Sequence, residues 1–383
     1  MDFLLPLALR EEIKRARRFA EEHAPSGERG PHLDRETWRA ASSFGLFKSA
    51  LPEDWGGSAR GALAAFALFE AMGQGGMDRS LLFAMGAHLF GCAVPIATYA
   101  SPTQSAKWGP GLADGSIVGA LAVTEPAGGS SLDLIATEVA DAPGGVSLTG
   151  EKTLVCNAPD AGLFLVLARQ FKNRGPLGFT AVLVPGDAPG VRVTPMAPTL
   201  GLRGAPMGRV ALEGCFVPAE MVLGRPGAGL RIFATAMQWE RTCLLAGFLG
   251  AAKRDLALSI DALRARRDGE GSVLRHQAVS HRLARLKLKL EAARLLGLRA
   301  AWIIDERRDD PTSASMAKLA LSEAVVETAE ELLKLMAGSA WQGRPIDFGA
   351  ALNDAMGGLF ASGTSEIQLD IIARSLVSKT LTQ

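Results

Sequence analysis

The sequence predicts an α+β protein, with an N-terminal helical domain, a central β-barrel or sandwich domain and a C-terminal four-helix bundle. Three observations carry this. Apolar residues recur at three- and four-residue spacing up to about Gly115, short β-type runs fill the middle, and long spans rich in Ala, Leu, Arg and Glu follow. A chain of 383 residues can hold several packed units with large apolar cores, divided here at 1–116, 117–225 and 226–383.

The first unit is read from Glu11 to His23, charged on one face, from Arg35 to Phe44, and from Leu63 to Met72, rich in Ala, Leu and Phe. Its breaks are Pro25-Ser26-Gly27, Pro52 to Gly57 and Gly73 to Gly76. The nearly uncharged stretch from Ser80 to Ala106 is long enough to cross a bilayer, but Gly86, His88, Gly91, Pro95, Thr98 and Ser101 interrupt it. It reads as a buried helix pair broken near Pro95. Val118 to Val123, Gly145 to Thr149, Leu163 to Ala168, Phe179 to Pro185, Val191 to Thr194 and Arg209 to Leu212 are β runs at short intervals, which suggests a compact antiparallel arrangement. The β signal stops at Gly224-Arg225-Pro226-Gly227, and residues 229–265, 272–306, 311–337 and 349–380 read as four packed helices.

Composition excludes several functions. The 41 basic groups balance 40 acidic ones, and only 6% of residues are aromatic, so there is no footprint for nucleic acid or an anionic membrane. Cys92, Cys156, Cys215 and Cys243 stand too far apart for a metal site or a disulfide framework. The start, Met1 to Pro6, lacks a basic n-region, and the expected location is cytoplasmic. No glycine turn joins a strand to a helix in the Rossmann manner and no GxxxxGK[ST] occurs, while Gly224 to Gly229 reads as a linker.

Three segments could carry chemistry. Thr124-Glu125-Pro126-Ala127-Gly128-Gly129-Ser130-Ser131 leaves a β run as a loop whose amides and hydroxyls can face a ligand, although alone it also reads as a plain turn. Gly150-Glu151-Lys152-Thr153-Leu154-Val155-Cys156-Asn157 follows, and Ser362-Gly363-Thr364-Ser365-Glu366-Ile367-Gln368 precedes the last helix. Together they resemble the acyl-CoA dehydrogenase family, with its TEPxAGSD loop, GxKxWITN strand and EGTSEIQ turn. Leu200 to Gly204 and Val217 to Gly224 extend the resemblance, so five motifs stand in order along nearly the whole chain.

The resemblance implies FAD as cofactor and an acyl thioester, on CoA or on a carrier protein, as substrate. It implies Thr124, Gly129, Ser130, Leu154, Cys156, Thr364, Glu366 and Gly338 along the cofactor. Arg266 and Gln277 match the family's RxxFG…Q, whose Arg reaches a partner subunit's FAD, so a homotetramer or homodimer is expected. Ser130, Arg241, Ser362 and Gly363 would border the substrate. Departures are Leu154 for the family Trp, Cys156 for a hydroxyl residue beside the flavin, and Glu270 for a Gly, which adds negative charge near a diphosphate.

The family reaction needs one carboxylate with a raised pKa to take the α-proton. Most members use the Glu of EGT, which here is Ser362. A smaller set resembling isovaleryl-CoA dehydrogenase takes it from the first long C-terminal helix before an Arg, as in Gln238-Trp239-Glu240-Arg241. Independently, Glu240 has Ala236, Met237, Cys243 and Leu244 as helical neighbours, so its carboxylate belongs to an apolar, buried face. Cys243 is expected to line the pocket, Trp239 and Trp341 to pack, and His88 and His276 to stand outside the chemistry. Rival readings are a biosynthetic enzyme acting on an acyl or aminoacyl group tethered to a carrier protein, a flavin oxidase or monooxygenase, and a non-catalytic paralogue. The electron acceptor, an electron-transfer flavoprotein or oxygen, leaves no local signature.

Overall fold

The computed structural model describes residues 5–23, 32–172 and 174–380; the start of the chain at Met1 and the break at Pro25-Ser26-Gly27 lie outside the described residues. The N-terminal helices are α1 (Leu7–Glu22), α2 (Arg35–Phe44), α3 (Gly61–Gly75), α4 (Arg79–Gly86), α5 (Val94–Tyr99) and α6 (Pro102–Ala113). Asp34 caps α2 by accepting from the amides of Glu36 and Thr37. α3 is buried on nearly every side, as expected for Ala, Leu and Phe with few charges.

Pro95 does not separate two helices. α4 runs through a π-helical stretch, Ala87–Ala93, into α5, and the Val94 amide donates to the Leu89 carbonyl five residues back. A proline lacks the N–H that would continue the ladder, and the wider turn before it absorbs that loss. Arg79–Tyr99 is long and apolar enough to cross a bilayer, but 89% of its apolar window is buried inside the protein.

The middle of the chain forms one curled seven-stranded sheet. Its strands are β1 (Gly119–Ala122), β2 (Glu138–Ala142), β3 (Gly145–Cys156), β4 (Leu163–Arg169), β5 (Phe179–Pro185), β6 (Val191–Pro195) and β7 (Met207–Pro218). The order is β1-β4-β2-β3-β7-β6, with β5 on β4. It is not purely antiparallel, because β1 pairs β4 in parallel, Gly119 opposite Leu163. The reason is that β4 is apolar and buried along almost its whole length, and so occupies the centre, where it can pair with a strand that arrives from the helices. β2 carries a single buried side chain, Val139, and therefore no readable apolar run. It is fixed by the Pro143-Gly144 turn, Gly144 at φ +78°, which pairs Ala142 with Gly145.

The C-terminal helices are α7 (Gly229–Cys243), α8 (Ala246–Ala265), α9 (Gln277–Asp305), α10 (Pro311–Met336), the single turn α11 (Gly338–Trp341), α12 (Phe348–Phe360) and α13 (Ser365–Thr380). The expected spans 229–265 and 349–380 are thus two helices each, the second broken at the turn of residues 361–364. Leu244 lies against Gly86 of the N-terminal helices and Leu245 against Gly358 of α12. Adjacent side chains anchored to different partners bend the chain where no Gly or Pro marks it. At the start of α7, Gly229 lies directly on Phe179 and Leu167, which brings this helix onto the sheet.

Candidate active site

Glu240 leaves α7 into the junction of three units and is 8% exposed. Ser362 Oγ donates to its Oε2 at 2.8 Å. Across from it stands Gly91 of the π-helical stretch, where any Cβ would collide with Glu240 Oε1. A side chain at Gly91 and a carboxylate at Glu240 therefore exclude each other. Burial pushes the Glu240 carboxyl up to about 7, against the opposing pull of the Ser362 hydroxyl and the Arg241 cation. The Cys156 thiol, at the end of β3, is pushed up by burial and further by the Glu240 charge, so it stays a neutral thiol. Its hydrogen goes to Asn157 Oδ1 at 3.6 Å.

Arg241 does not pair with Glu240. Its Nε donates to the Ser362 carbonyl at 3.0 Å, and burial lowers its pKa. Ser362 and Gly363 both hold left-handed backbone, at φ 56° and 96°. Ser362, expected to border the substrate where most of the family carries its base, is also the hydrogen-bond partner of Glu240, 122 residues away. Gln368, Gly91 and Asn157 were missed. Asn157 Nδ2 donates to the Ala84 carbonyl at 2.9 Å and so ties β3 to α4.

The Thr124 loop is held from behind. Glu125 and Gly128 exchange backbone hydrogen bonds at 3.3 and 3.0 Å, and the Thr153 amide donates to the Thr124 carbonyl at 2.8 Å. The Glu125 carboxylate accepts from the amides of Ala136 and Thr137 and from Lys152 Nζ at 2.7 Å. Gly129 sits beside Thr124 Oγ1 with no room to spare for a side chain, and Gly129 and Ser130 are exposed. Leu154 stands at φ +53°, within a register shift of β3, and is 55% exposed. A non-glycine residue in that conformation with an apolar side chain in the open is a costly arrangement that a flat apolar ligand would repay. Thr364 caps α13 by accepting from the Ile367 amide at 3.4 Å, and the positive end of a 16-residue helix suits a diphosphate. These residues fit a flavin dinucleotide.

Glu240, Arg241, Ser362, Gly363 and Cys156 are thus brought together, with Thr364 and Glu366 next along the chain. Arg266, Gln277 and Gly338 are exposed, whereas Glu240 is buried. Arg266 and Gln277 flank one hairpin, in which the Val273 amide donates to the Arg266 carbonyl. The charge expected from Glu270 is paired locally with Arg275 at 2.5 Å. Cys243 does not line the pocket: it is fully buried and its thiol donates to the Ala62 carbonyl. Trp239 stacks on Phe90 at 6.1 Å, whereas Trp341 does not pack within this chain, being 94% exposed. His88 is a core histidine between the Leu112 carbonyl and the Gly119 amide, and burial lowers it to about 4. His276 pairs with Asp268.

Three family models cover this chain in order: the acyl-CoA dehydrogenase N-terminal domain at residues 8–116, the middle domain at 120–215 and the C-terminal domain at 227–377. An L-prolyl-[peptidyl-carrier protein] dehydrogenase of Pseudomonas fluorescens is 36% identical over 93% of this chain and 94% of its own. The chain belongs to the acyl-CoA dehydrogenase family. Among solved structures, the prolyl acyl carrier protein oxidase AnaB superposes with a TM-score of 0.94 at 30% identity, over 97% of this chain and 100% of that one. PigA with FAD and proline gives 0.93 at 30%, over 98% and 99%. This family member is an FAD-dependent enzyme that dehydrogenates an acyl or aminoacyl thioester.

Proposed function

We propose that the substrate is an aminoacyl group, prolyl first among candidates, held as a thioester on a carrier protein, and that Glu240 removes its α-proton. The chemistry rests on one observation: a buried carboxylate whose partner is a hydroxyl and not a cation, in the position used by the isovaleryl-type members. The carrier-bound substrate rests on the similarity to the prolyl-carrier-protein enzymes. The thioester carbonyl acidifies the α-carbon, and Glu240 takes that proton. Arg241 holds the Ser362 carbonyl, and the neutral Cys156 adds no charge beside the base. Bound FAD supplies the two-electron acceptor for the β-hydrogen. Anaerobic flavin bleaching separates the readings. A prolyl thioester on a carrier protein is expected to bleach the enzyme much faster than straight-chain acyl-CoA thioesters, and the reverse order overturns the carrier assignment.

Because the base acts ionised, the flavin-reduction rate should climb about tenfold per pH unit below pH 7 and level off above it, with the break near the Glu240 value of about 7. Stopped-flow reduction across pH 5.5–9 measures this. A flat profile removes Glu240 from the rate-determining proton transfer.

Shared cofactor sites are part of the same proposal. Leu288, Leu295 and Trp302 leave an apolar stripe at seven-residue spacing on α9, and Arg266 is exposed. Arg266→Ala should release FAD roughly tenfold or more easily, the worth of a charge-assisted contact. Unchanged retention on repeated filtration makes Arg266 a solvated surface residue.

A further inference from the structure

We propose that Gln368 is a positioning residue for the base, clamping the Ser362–Gly363 turn so that the Ser362 hydroxyl is delivered to Glu240. The inference rests on Glu240 being the base. Gln368 is wholly buried in the first turn of α13. Its Nε2 donates to the carbonyls of Ser362 at 3.3 Å, Gly363 at 2.9 Å and Thr364 at 3.4 Å. Its Oε1 has no hydrogen-bond partner among the described residues. A buried acceptor left unmatched is costly, so the fold uses this side chain for its donor end alone. The turn it grips is one the backbone does not adopt unaided, since Ser362 is a non-glycine residue at φ 56°. Arg241 Nε reaches the same Ser362 carbonyl from α7. Two donors, from α7 and α13, thus fix the peptide, and its side chain is left one reachable task, the 2.8 Å bond to Glu240 Oε2.

The charged and titratable groups around this unit are Arg241 on the base's own helix, Cys156 at the end of β3, Lys318 on α10 with Glu323 beside it, and Glu366 in the first turn of α13. Cys156 stays neutral. Lys318 Nζ donates to the Leu359 carbonyl at 2.9 Å, and burial, then the Arg241 charge, lower its pKa to about 8. From the π-helical stretch between α4 and α5 the facing wall is Gly91, which carries no charge. The group that can adjust the Glu240 carboxylate without changing any net charge is therefore the Ser362 hydroxyl, held in place by Gln368. A hydroxyl donating to a carboxylate favours the ionised form, so losing it makes the base harder to ionise.

The test is a cycle of Gln368→Met, Ser362→Ala and the double variant in the FAD-loaded protein, read as the pH profile of anaerobic flavin reduction by a prolyl carrier-protein thioester. Methionine keeps the volume of Gln368 and removes both its donor and its orphan acceptor. Each single variant should move the acid limb upward on the order of one pH unit. The double variant should move it no further than either alone, because both act through one hydrogen bond. A Gln368→Met protein with the wild-type profile, or shifts that add in the double variant, overturns the positioning role. Should Gln368→Met fold poorly, Gln368→Leu, which also lacks the donor and adds no titratable group, must give the same upward shift. Glu240→Gln is run beside them: if it stays active, the base assignment itself has failed, whereas an inactive Glu240→Gln with unshifted Gln368 variants sinks only the clamp.

Discussion

Glu240→Gln should lower the rate of anaerobic flavin reduction by roughly 10²–10⁴-fold, the contribution of a positioned acid–base group, while thioester binding changes little. The amide keeps the shape of the side chain and can still accept from Ser362 Oγ, so loss of rate reports loss of the base and not collapse of the site. The same substitution has a second signature of opposite sign. The folded protein raises this carboxyl from its ordinary 4.5 to about 7, through burial first. Below pH 4.5 it is protonated in folded and unfolded chains alike and costs nothing. Between 4.5 and 7 the unfolded chain gives up the proton and the folded one does not, so stability falls as pH rises, by roughly 3 kcal/mol above pH 7. Glu240→Gln should therefore be the more stable protein at pH 8 and equal to wild type near pH 4, in urea unfolding of FAD-saturated samples. A variant that is slow and also less stable at pH 8 means that Glu240 serves the fold and not the proton.

The order of helices, strands and helices was legible because long Ala- and Leu-rich spans with few breaks flank a stretch of short β-type runs split by Gly, Pro and Asp, and the flavin loop because glycines, hydroxyls and a strand end stand together at Thr124–Ser130. The burial of Glu240 was legible too, since its four helical neighbours Ala236, Met237, Cys243 and Leu244 are apolar. What the sequence concealed depends on contacts between distant segments. The bond from Ser362 to Glu240 is hidden because its acceptor lies on another helix, and Gln368 reads as one polar residue of a motif although its amide faces three carbonyls. Gly91 and Pro95 read as breaks, whereas a π-helical stretch keeps the helix whole and Gly91 clears the space that Glu240 fills. The parallel pairing of β1 with β4 was hidden for a similar reason. Alternation reports which face of a strand is buried, not which neighbour it chooses.

Lys152→Met should cost about 3–5 kcal/mol and loosen FAD, the second large effect expected of a single substitution. Lys152 lies in the GxK segment of β3, yet its side chain is wholly buried and turned from solvent toward the loop before it. Its Nζ donates to the Val123 carbonyl at 3.0 Å and to Glu125 Oε1 at 2.7 Å, bracketing the chain just where Thr124 stands. Burial lowers the lysine to about 8, so it is still charged at pH 7. Burial pushes Glu125 up, but the ammonium and its hydrogen bonds outweigh that and hold the carboxyl below its ordinary range. Removing the cation leaves Glu125 charged and buried against the Ala136 and Thr137 amides. That residual charge, more than the lost contact, makes the single change expensive, and adding Glu125→Gln should recover part of the loss because it removes the charge and keeps an acceptor for the two amides. Urea unfolding gives the stabilities, and flavin retained after gel filtration reports the loop. If Lys152→Met costs less than about 1 kcal/mol, the worth of an exposed pair, the Thr124 loop is anchored by its backbone hydrogen bonds to Thr153 and Gly128 and not by the buried ions.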